Sequence, residues 1–590
     1  MKMIWPRTVV GLAAFGLAAC IVAAPRPAAA QCHLRPLVEL PVTLEDRRAI
    51  IDVKVNGHDA RFVADTGAYF SDMDLPSAKA MDLKLGDWPY PLVSGGAAGL
   101  ASEQLGVAKS LEIGKSQLHD IEFLVGGASL GQGVAGLLGQ NLFQAGDVDL
   151  DLANGMIRLL QVRGCGQTAL AYWVKPGDSY SVVDIFLTTI QRPHIRTYVY
   201  VNGARLEAVL DTGASETVIT REAALRAGVK PGDAGVKEAG FSSGIGRSTV
   251  SRWIIPVATF RIGDEEIKNT RLAMMDSDLG GSDLLIGMDF LLSHHVYVAS
   301  SQNKLYFSYV GGPVFAPPPA ATPAQTAAIA EDSEAPKDAA GLARRGEAFL
   351  NRQEYAKAIA DLTRSLELDP NQAAVTFARA SARFFAGQIA PAQADLDRTL
   401  ILEPNTVEAL LLRAQIRLNA KQAGGDADLA AADKAMAPAD DARLQLAKIY
   451  SVFHQPARAL AQADLWVENH PDDPRLSGGL NERCWSRGLL NQDLDKAKHD
   501  CDEAIRLQPG TAAYWDSRGL VYLRLGQMDR AVQDYDQALK REPKLAWSLY
   551  CRGMAKTHQG QAKAGADDMA AAAALDPTIA KQVKADGIVL

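Results

Sequence analysis

The sequence predicts a multidomain chain, a bilobal all-β half followed by an all-α repeat solenoid, and three observations predict it. Residues 38–57, VELPVTLEDRRAIIDVKVNG, recur as DIFLTTIQRPHIRTYVYVNG at 184–203, an offset of 146. Self-similarity of this kind marks a duplicated domain. Prolines at 370, 404, 438, 471, 509, 543 and 577 recur with differences of 34, 34, 33, 38, 34 and 34. Between these regions lies PPPAATPAQTAAIAEDSEAPKD, rich in Pro and Ala and poor in large apolar residues, which reads as a linker. At 590 residues the chain exceeds what one hydrophobic core serves. The boundaries that follow are an export segment at 1–30, lobes at 31–163 and 164–312, a linker at 313–338, a repeat array at 339–580 and a tail at 581–590.

A hydrophobic fraction of 48% and a charged fraction of 22% are those of a globular protein. The net charge of -8, with no Lys/Arg stripe interleaved with aromatics, argues against a nucleic-acid partner. Lys2 and Arg7 precede an apolar run from Thr8 to Ala24, and Ala28-Ala29-Ala30 before Gln31 supplies a small-residue cleavage site. That is the pattern of an export signal, so a periplasmic or secreted bacterial protein is expected. Leu17-Ala18-Ala19-Cys20 also resembles a lipobox, and a membrane tether follows only if Cys20 is lipidated. Simple cleavage is the preferred reading. No later segment has the ~20 apolar residues of a membrane-spanning helix.

Each duplicated unit opens with a strand, an Asn-Gly turn at Asn56-Gly57 or Asn202-Gly203, and a second strand. Asn-Gly suits the left-handed positions of a tight hairpin turn. Both hairpins run into Asp-Thr-Gly-Ala, at 65–68 and 211–214. Farther on, Leu137-Leu138-Gly139 matches Leu285-Ile286-Gly287, and the segments between are short β-type runs broken by glycine. Glycine-rich 93–100 and 241–246 are candidates for flaps over a cleft.

These motifs resemble those of retropepsin-like aspartic proteases over residues 36 to 312. The resemblance implies two lobes about a pseudo-twofold axis, with Asp65 and Asp211 as the catalytic dyad of an exported endopeptidase acting on a protein or peptide substrate. It implies that Thr66 and Thr212 bond across the interface beneath the dyad, and that Gly67 and Gly213 let the backbones turn closely. Two carboxyls about 3 Å apart cannot both ionise, so one stays protonated while the other is a base. The base takes a proton from water, which attacks the peptide carbonyl, while the acid protonates the developing oxyanion. No cofactor or metal is expected. Ala68 and Ala214 stand where pepsin-like relatives usually have Ser, whose hydroxyl would favour the ionised Asp, so the shared proton is expected to persist to higher pH. Tyr69-Phe70 after the first motif implies a bulkier wall than Ser215 after the second. The competing reading is a non-catalytic scaffold that binds extended peptides on the same fold; a third is self-processing, with the linker as substrate.

Cys32 and Cys165 flank the first lobe, and export would let them form a disulfide. Cys484, Cys501 and Cys551 read as packed core thiols. The cysteine spacings match no metal site, and His294-His295 read as structural or surface groups. Counted from the prolines, Gly346, Phe349 and Ala358, and again Gly519, Tyr522, Ala531 and Ala538, resemble tetratricopeptide repeats, about seven in number. The resemblance implies a superhelix whose groove holds a protein partner. Repeats three and four fit poorly, with Gly424-Gly425 inside the third, so a break or bend is expected near 421–456. The Pro/Ala linker implies domains that move independently.

Overall fold

A computed structural model describes residues 32–87, 95–96, 99–100, 102–126, 130, 133–186, 194–243, 249–315, 336–471, 473 and 475–588. The export segment and most of the linker lie outside the described residues. So do 93–94, 97–98 and 244–246 of the two flap candidates; their flanking arms are antiparallel strands, Gly95–Gly96 with Gly99–Leu100, and Lys237–Ser243 with Thr249–Ile262.

The two lobes repeat one plan. In the first, Arg48–Val55 pairs antiparallel with His58–Ala64, with Asn56 and Gly57 at positive φ in the turn. His58–Ala64 then pairs in parallel with Val134–Leu138, which runs antiparallel to Asp72–Met73. In the second, Arg196–Val201, Ala204–Leu210, Leu284–Ile286 and Val218–Thr220 make the same pairings. Each lobe carries a six-residue helix at a matching place, Leu75–Ala80 capped by the Asp74 carboxylate and Arg221–Arg226 capped by the Thr220 hydroxyl. A capping oxygen accepts from an amide that the helix leaves unpaired. Apolar side chains of both lobes, among them Phe62, Phe123, Phe260 and Phe290, form one continuous core.

A six-stranded antiparallel sheet joins the lobes, in the order His33–Pro41, Met156–Arg163, Asp147–Asp151, His294–Ala299, Lys304–Tyr309, Ser181–Asp184, three strands from each. At its centre the pseudo-equivalent Asp149 and His295 are paired, Nε2 to Oδ1 at 2.6 Å, with Tyr172 donating to the other carboxylate oxygen at 2.6 Å. His295 stacks on Trp173 and is buried, as is His294, whose Nε2 lies 2.9 Å from Glu265. Both histidines are interior structural groups. Cys32 and Cys165 are disulfide-bonded at the outer end of this sheet, where His33 already faces Arg163.

Seven helix pairs follow among the described residues: Ala339–Asn351 with Tyr355–Leu368, Ala373–Phe385 with Ile389–Leu402, Val407–Asn419 with Gly425–Ala435, Arg443–Val452 with Pro456–Asn469, Leu476–Leu490 with Leu494–Leu507, Ala512–Arg524 with Met528–Arg541, and Ala546–His558 with Ala562–Leu575. A further short helix, Ile579–Ala585, occupies the first half of the stretch expected as a tail. Small residues sit where helices meet: a methyl at Gly346 or Gly519 would enter the Leu362 or Tyr535 side chain. Within six of the pairs an arginine of the first helix grips an aspartate of the second: Arg345–Asp361, Arg379–Asp395, Arg413–Asp428, Arg483–Asp500, Arg518–Asp534 and Arg552–Asp568. Arg413, Arg518 and Arg552 also reach the preceding pair, at Asp397, Asp502 and Asp536. Two-pronged guanidinium contacts fix the rotation of one helix on the next.

The fourth pair departs from this pattern, with Ala447 at the arginine position. At its junction with the third pair the flanking helices are short, Gly425–Ala435 and Arg443–Val452, and a connection at 436–442 joins them within the stretch where a break or bend is expected. Buried Arg443 clamps it, donating to the carbonyls of Met436 and Ala437 at 2.7 Å each.

Two expectations are corrected. Cys484 and Cys501 are not free thiols; they form a disulfide between the two helices of the fifth pair, and Cys551 alone among the described cysteines is free and buried. The 17-residue separation joins them because two antiparallel helices of one repeat place such residues side by side. Nor is the array detached. Its first helix packs on the β half: Ala348 enters the lobe core, Asn351 Nδ2 donates to Leu44 O at 2.8 Å, and Arg352 Nη1 donates to Leu292 O at 3.1 Å. A chain cut after residue 338 therefore loses part of the β half's support, whereas one cut after residue 371 keeps it. We expect the shorter chain to melt at least about 5 °C below the longer one, since a lost buried hydrogen bond, a lost part-buried one and a bared apolar patch amount to a few kcal/mol. Equal melting temperatures in differential scanning calorimetry would refute the docking.

Candidate active site

Each Asp-Thr-Gly follows the second strand of its hairpin and is pinned by the strand beside it. Asp65 N donates to Leu138 O at 2.9 Å and Asp211 N to Ile286 O at 3.0 Å. Gly139 and Gly287 follow those strands because the motif loops press against them, where a Cβ would strike the backbone of Phe70 or Glu216. The apolar-apolar-Gly element is thus the backing of the Asp loop.

The two loops meet across the lobe interface. Thr66 Oγ1 donates to Leu210 O at 2.8 Å and accepts from Thr212 N at 3.1 Å; Thr212 Oγ1 donates to Ala64 O at 2.6 Å and accepts from Thr66 N at 2.9 Å. Both threonines are fully buried. This reciprocal set of four bonds satisfies both hydroxyls and both amides of the buried threonines, which favours one geometry for the network. Above it, Asp65 Oδ1 accepts from Gly67 N and Ala68 N at 2.8 Å each, and Asp211 Oδ1 accepts from Gly213 N at 2.8 Å and Ala214 N at 3.1 Å. The two carboxyls are hydrogen-bonded to each other. Gly67 lies against the Asp211 carboxyl and Gly213 against that of Asp65, so close that a methyl on either would overlap it.

Burial, the neighbouring Asp211 charge and the bond between them push Asp65 well above the ordinary carboxylate range; burial also raises Asp211, while the bond from Asp65 opposes that rise. The four amide bonds pull the other way without cancelling burial. The pair therefore holds its shared proton more tightly than a free carboxyl would, and with one proton on the pair one carboxyl is an acid and its partner a base.

His194 carries no motif that marks it in the sequence. It lies 17 residues before Asp211, as Arg48 lies before Asp65. Its imidazole is hydrogen-bonded to the Gly67 backbone of the other lobe, within electrostatic reach of Asp211, and burial keeps its pKa low. The 146 offset could have found it, since it pairs His194 with Arg48, both at the entrance to the first hairpin strand.

The walls beside the dyad differ. Tyr69 and Phe70 form an edge-to-face pair on the first lobe, with Tyr69 exposed, whereas Glu216 of the second lobe is held by a two-pronged bond from Arg252. A second asymmetry lies behind the loops. Asn141 Oδ1 accepts from Ser71 N at 2.8 Å and Ser71 Oγ at 2.7 Å, and at the matching place Asp289 Oδ1 accepts from Thr217 N at 2.8 Å and Thr217 Oγ1 at 2.6 Å. Burial pushes the Asp289 carboxyl up to about 6. A carboxyl whose folded pKa is raised binds its proton more tightly when folded, so stability falls as pH climbs from about 4 through 6. Asp289→Asn removes that penalty and keeps the acceptor that Asn141 shows to suffice. We expect it to stabilise the chain at pH 7.5 by up to about 3 kcal/mol and to be neutral near pH 4. Melting temperatures recorded from pH 4 to 8 check both ends.

Among the described residues no group of three or more His, Cys, Asp or Glu could hold a metal ion. No helix among them is long and apolar enough to cross a membrane.

Residues 51–142 match an aspartyl-protease family model, and residues 197–293 match the gag-polyprotein aspartyl-protease model. Two tetratricopeptide-repeat models match residues 339–372 and 512–545. No curated protein matches the chain. Solved structures similar in fold include a tetratricopeptide repeat protein from Parabacteroides merdae, 16% identical, TM-score 0.33, covering 42% of this chain and 99% of that one. The Cut9–Hcn1 hetero-tetramer of APC/C is 16% identical with TM-score 0.32, and the match spans 42% of this chain but 48% of that one. YrrB, described as a repeat protein with an unusual peptide-binding site, is 13% identical with TM-score 0.22, covering 38% of this chain and 98% of that one. The protein thus joins a pair of retropepsin-like aspartyl-protease lobes to a tetratricopeptide-repeat array.

Proposed function

We propose that the protein is an exported aspartic endopeptidase in which Asp65 and Asp211 activate water against a peptide carbonyl and the repeat array docks a protein partner or target. The observation that carries this reading is the hydrogen-bonded Asp65–Asp211 pair seated on the reciprocal Thr66–Thr212 bonds, because it supplies an acid and a base at one place with no further group required. Thr66, Gly67, Thr212 and Gly213 position the dyad. Export is supported by the charged and apolar opening residues and by two disulfides, which persist in oxidising compartments.

The test is digestion of a peptide library by the full chain between pH 3 and 8, with new termini read by mass spectrometry. Cleavage that is abolished in Asp211→Asn establishes the enzyme. Binding of library peptides without cleavage at any pH would leave the non-catalytic scaffold as the reading.

A further inference from the structure

From the fourth repeat to the seventh the first helices of neighbouring repeats touch one another, as Leu476–Leu490 does with Ala512–Arg524, so they line the inner side of the curve. The short helix Ile579–Ala585 ends in a turn set by Gly587 at φ 68°. Gly587 N donates to Lys584 O at 3.0 Å and Ile588 N to Val583 O at 3.1 Å, the double bond of a glycine-terminated helix. This turn sends residues 586–588 backward along the array instead of outward from it.

There the segment is gripped at three points. Arg524, at the end of the inner helix of repeat six, donates through Nη1 to Gly587 O at 2.9 Å and through Nη2 to Asp586 O at 3.1 Å. The same guanidinium donates to Gly488 O and Leu489 O of repeat five, at 3.1 Å each. Asp586 Oδ1 lies 3.2 Å from Nδ1 of His454, which follows the inner helix of repeat four. Ile588 is 3% exposed, within the apolar cluster that includes Leu489 and Leu523. A segment that follows repeat seven therefore reaches back over repeats six, five and four. Sealing the last helix pair explains Ile579 and Val583, which are buried in the same cluster, but not the reach to His454. Beside these contacts an open hollow of about 380 Å³ is lined by Gln455, Pro456, Ala457, Arg458 and Leu490.

We propose that the inner face of repeats four to six is a docking site for peptides presenting an acidic, a small and a branched apolar residue in succession, and that Asp586-Gly587-Ile588 of the chain itself fills it. Each contact is one that a foreign peptide can duplicate. Arg524 reads two successive main-chain carbonyls, which every peptide has; His454 selects a carboxylate; and the cluster around Leu489 selects the branched side chain. The adjoining hollow at Gln455–Arg458 gives a longer partner contacts that the chain's own segment does not make. This inference rests on the array as a protein-docking surface and is independent of the protease reading.

The test uses a fluorescent peptide of residues 582–590 and the full chain in three forms: parent, ended after Ala585, and Ile588→Asp. We expect the ended chain and Ile588→Asp to bind the peptide at least ten-fold more tightly than the parent, and a peptide carrying Ile588→Asp to bind none of them. Equal affinity for all three forms overturns the proposal, as does no binding to either altered form while helical circular dichroism is unchanged. Loss of helicity in both altered forms also overturns it, because the segment would then be a structural cap only. Should this peptide fail to bind while other peptides of a library bind the full chain through the repeats, this inference falls and the array's docking role stands.

Discussion

Asp211→Asn is expected to lower kcat for peptide cleavage by about 10⁴-fold with little change in KM, and Asp65→Asn to do the same. An acid and a base acting at one peptide bond each contribute up to about that factor, and an amide can be neither. The substitution spares the fold. The amide oxygen that replaces the Asp211 carboxylate would still accept from Gly213 N and Ala214 N, and the change removes a buried carboxyl whose ionisation burial opposes. Retained melting temperature together with lost kcat is the expected pattern; retained kcat in either variant would show that the two carboxyls are not the reacting groups.

Gly67→Ala is expected to cost at least about 10²-fold in kcat/KM by a different route. The new methyl would overlap the Asp211 carboxyl, which then has to withdraw by about an ångström, and a displacement of that size is worth about that much in rate. Its signature is in the pH profile. The proton shared by the dyad is held by burial and by the facing charge, so separating the carboxyls weakens the second of these and moves the alkaline limb of the profile to lower pH. The sign follows directly: activity needs one proton on the pair, and a pair that releases it more readily loses activity at lower pH. A rate loss with an unmoved alkaline limb would mean that the methyl blocks substrate instead of parting the dyad. Gly213→Ala, lying against Asp65, should behave alike.

The duplicated half was legible because its constraints are local and repeated: Asn-Gly turns, alternating strands and Asp-Thr-Gly recur at nearly one offset, and the same offset relates the helix caps at Asp74 and Thr220. The family of the repeats was legible from their prolines and small residues, which answer steric needs that few residue types meet. What escaped were interactions that no repeated motif marks and that only the apposition of two elements creates. Arg518 and Asp534 look like a solvated charged face when read singly, and only the apposition of two helices makes them a clamp. Cys484 and Cys501 look like core residues for the same reason. Asn351 and Arg352 occupy unremarkable repeat positions, so nothing in the helical pattern announces that they hold the carbonyls of Leu44 and Leu292. His194 was hidden because its role is defined by the opposite lobe.

The seating of the first repeat on the β half bears on how a bound target would be served. A flexible tether lets a captured chain sample many positions, and its local concentration depends on tether length. A docked array removes that freedom. A target held along the groove would present to the dyad only the stretch lying at a set distance from its docking segment, and the Arg443 clamp on the 436–442 connection holds that distance. Cut sites would then be chosen by spacing as well as by side chain, and the repeat array would work as a ruler.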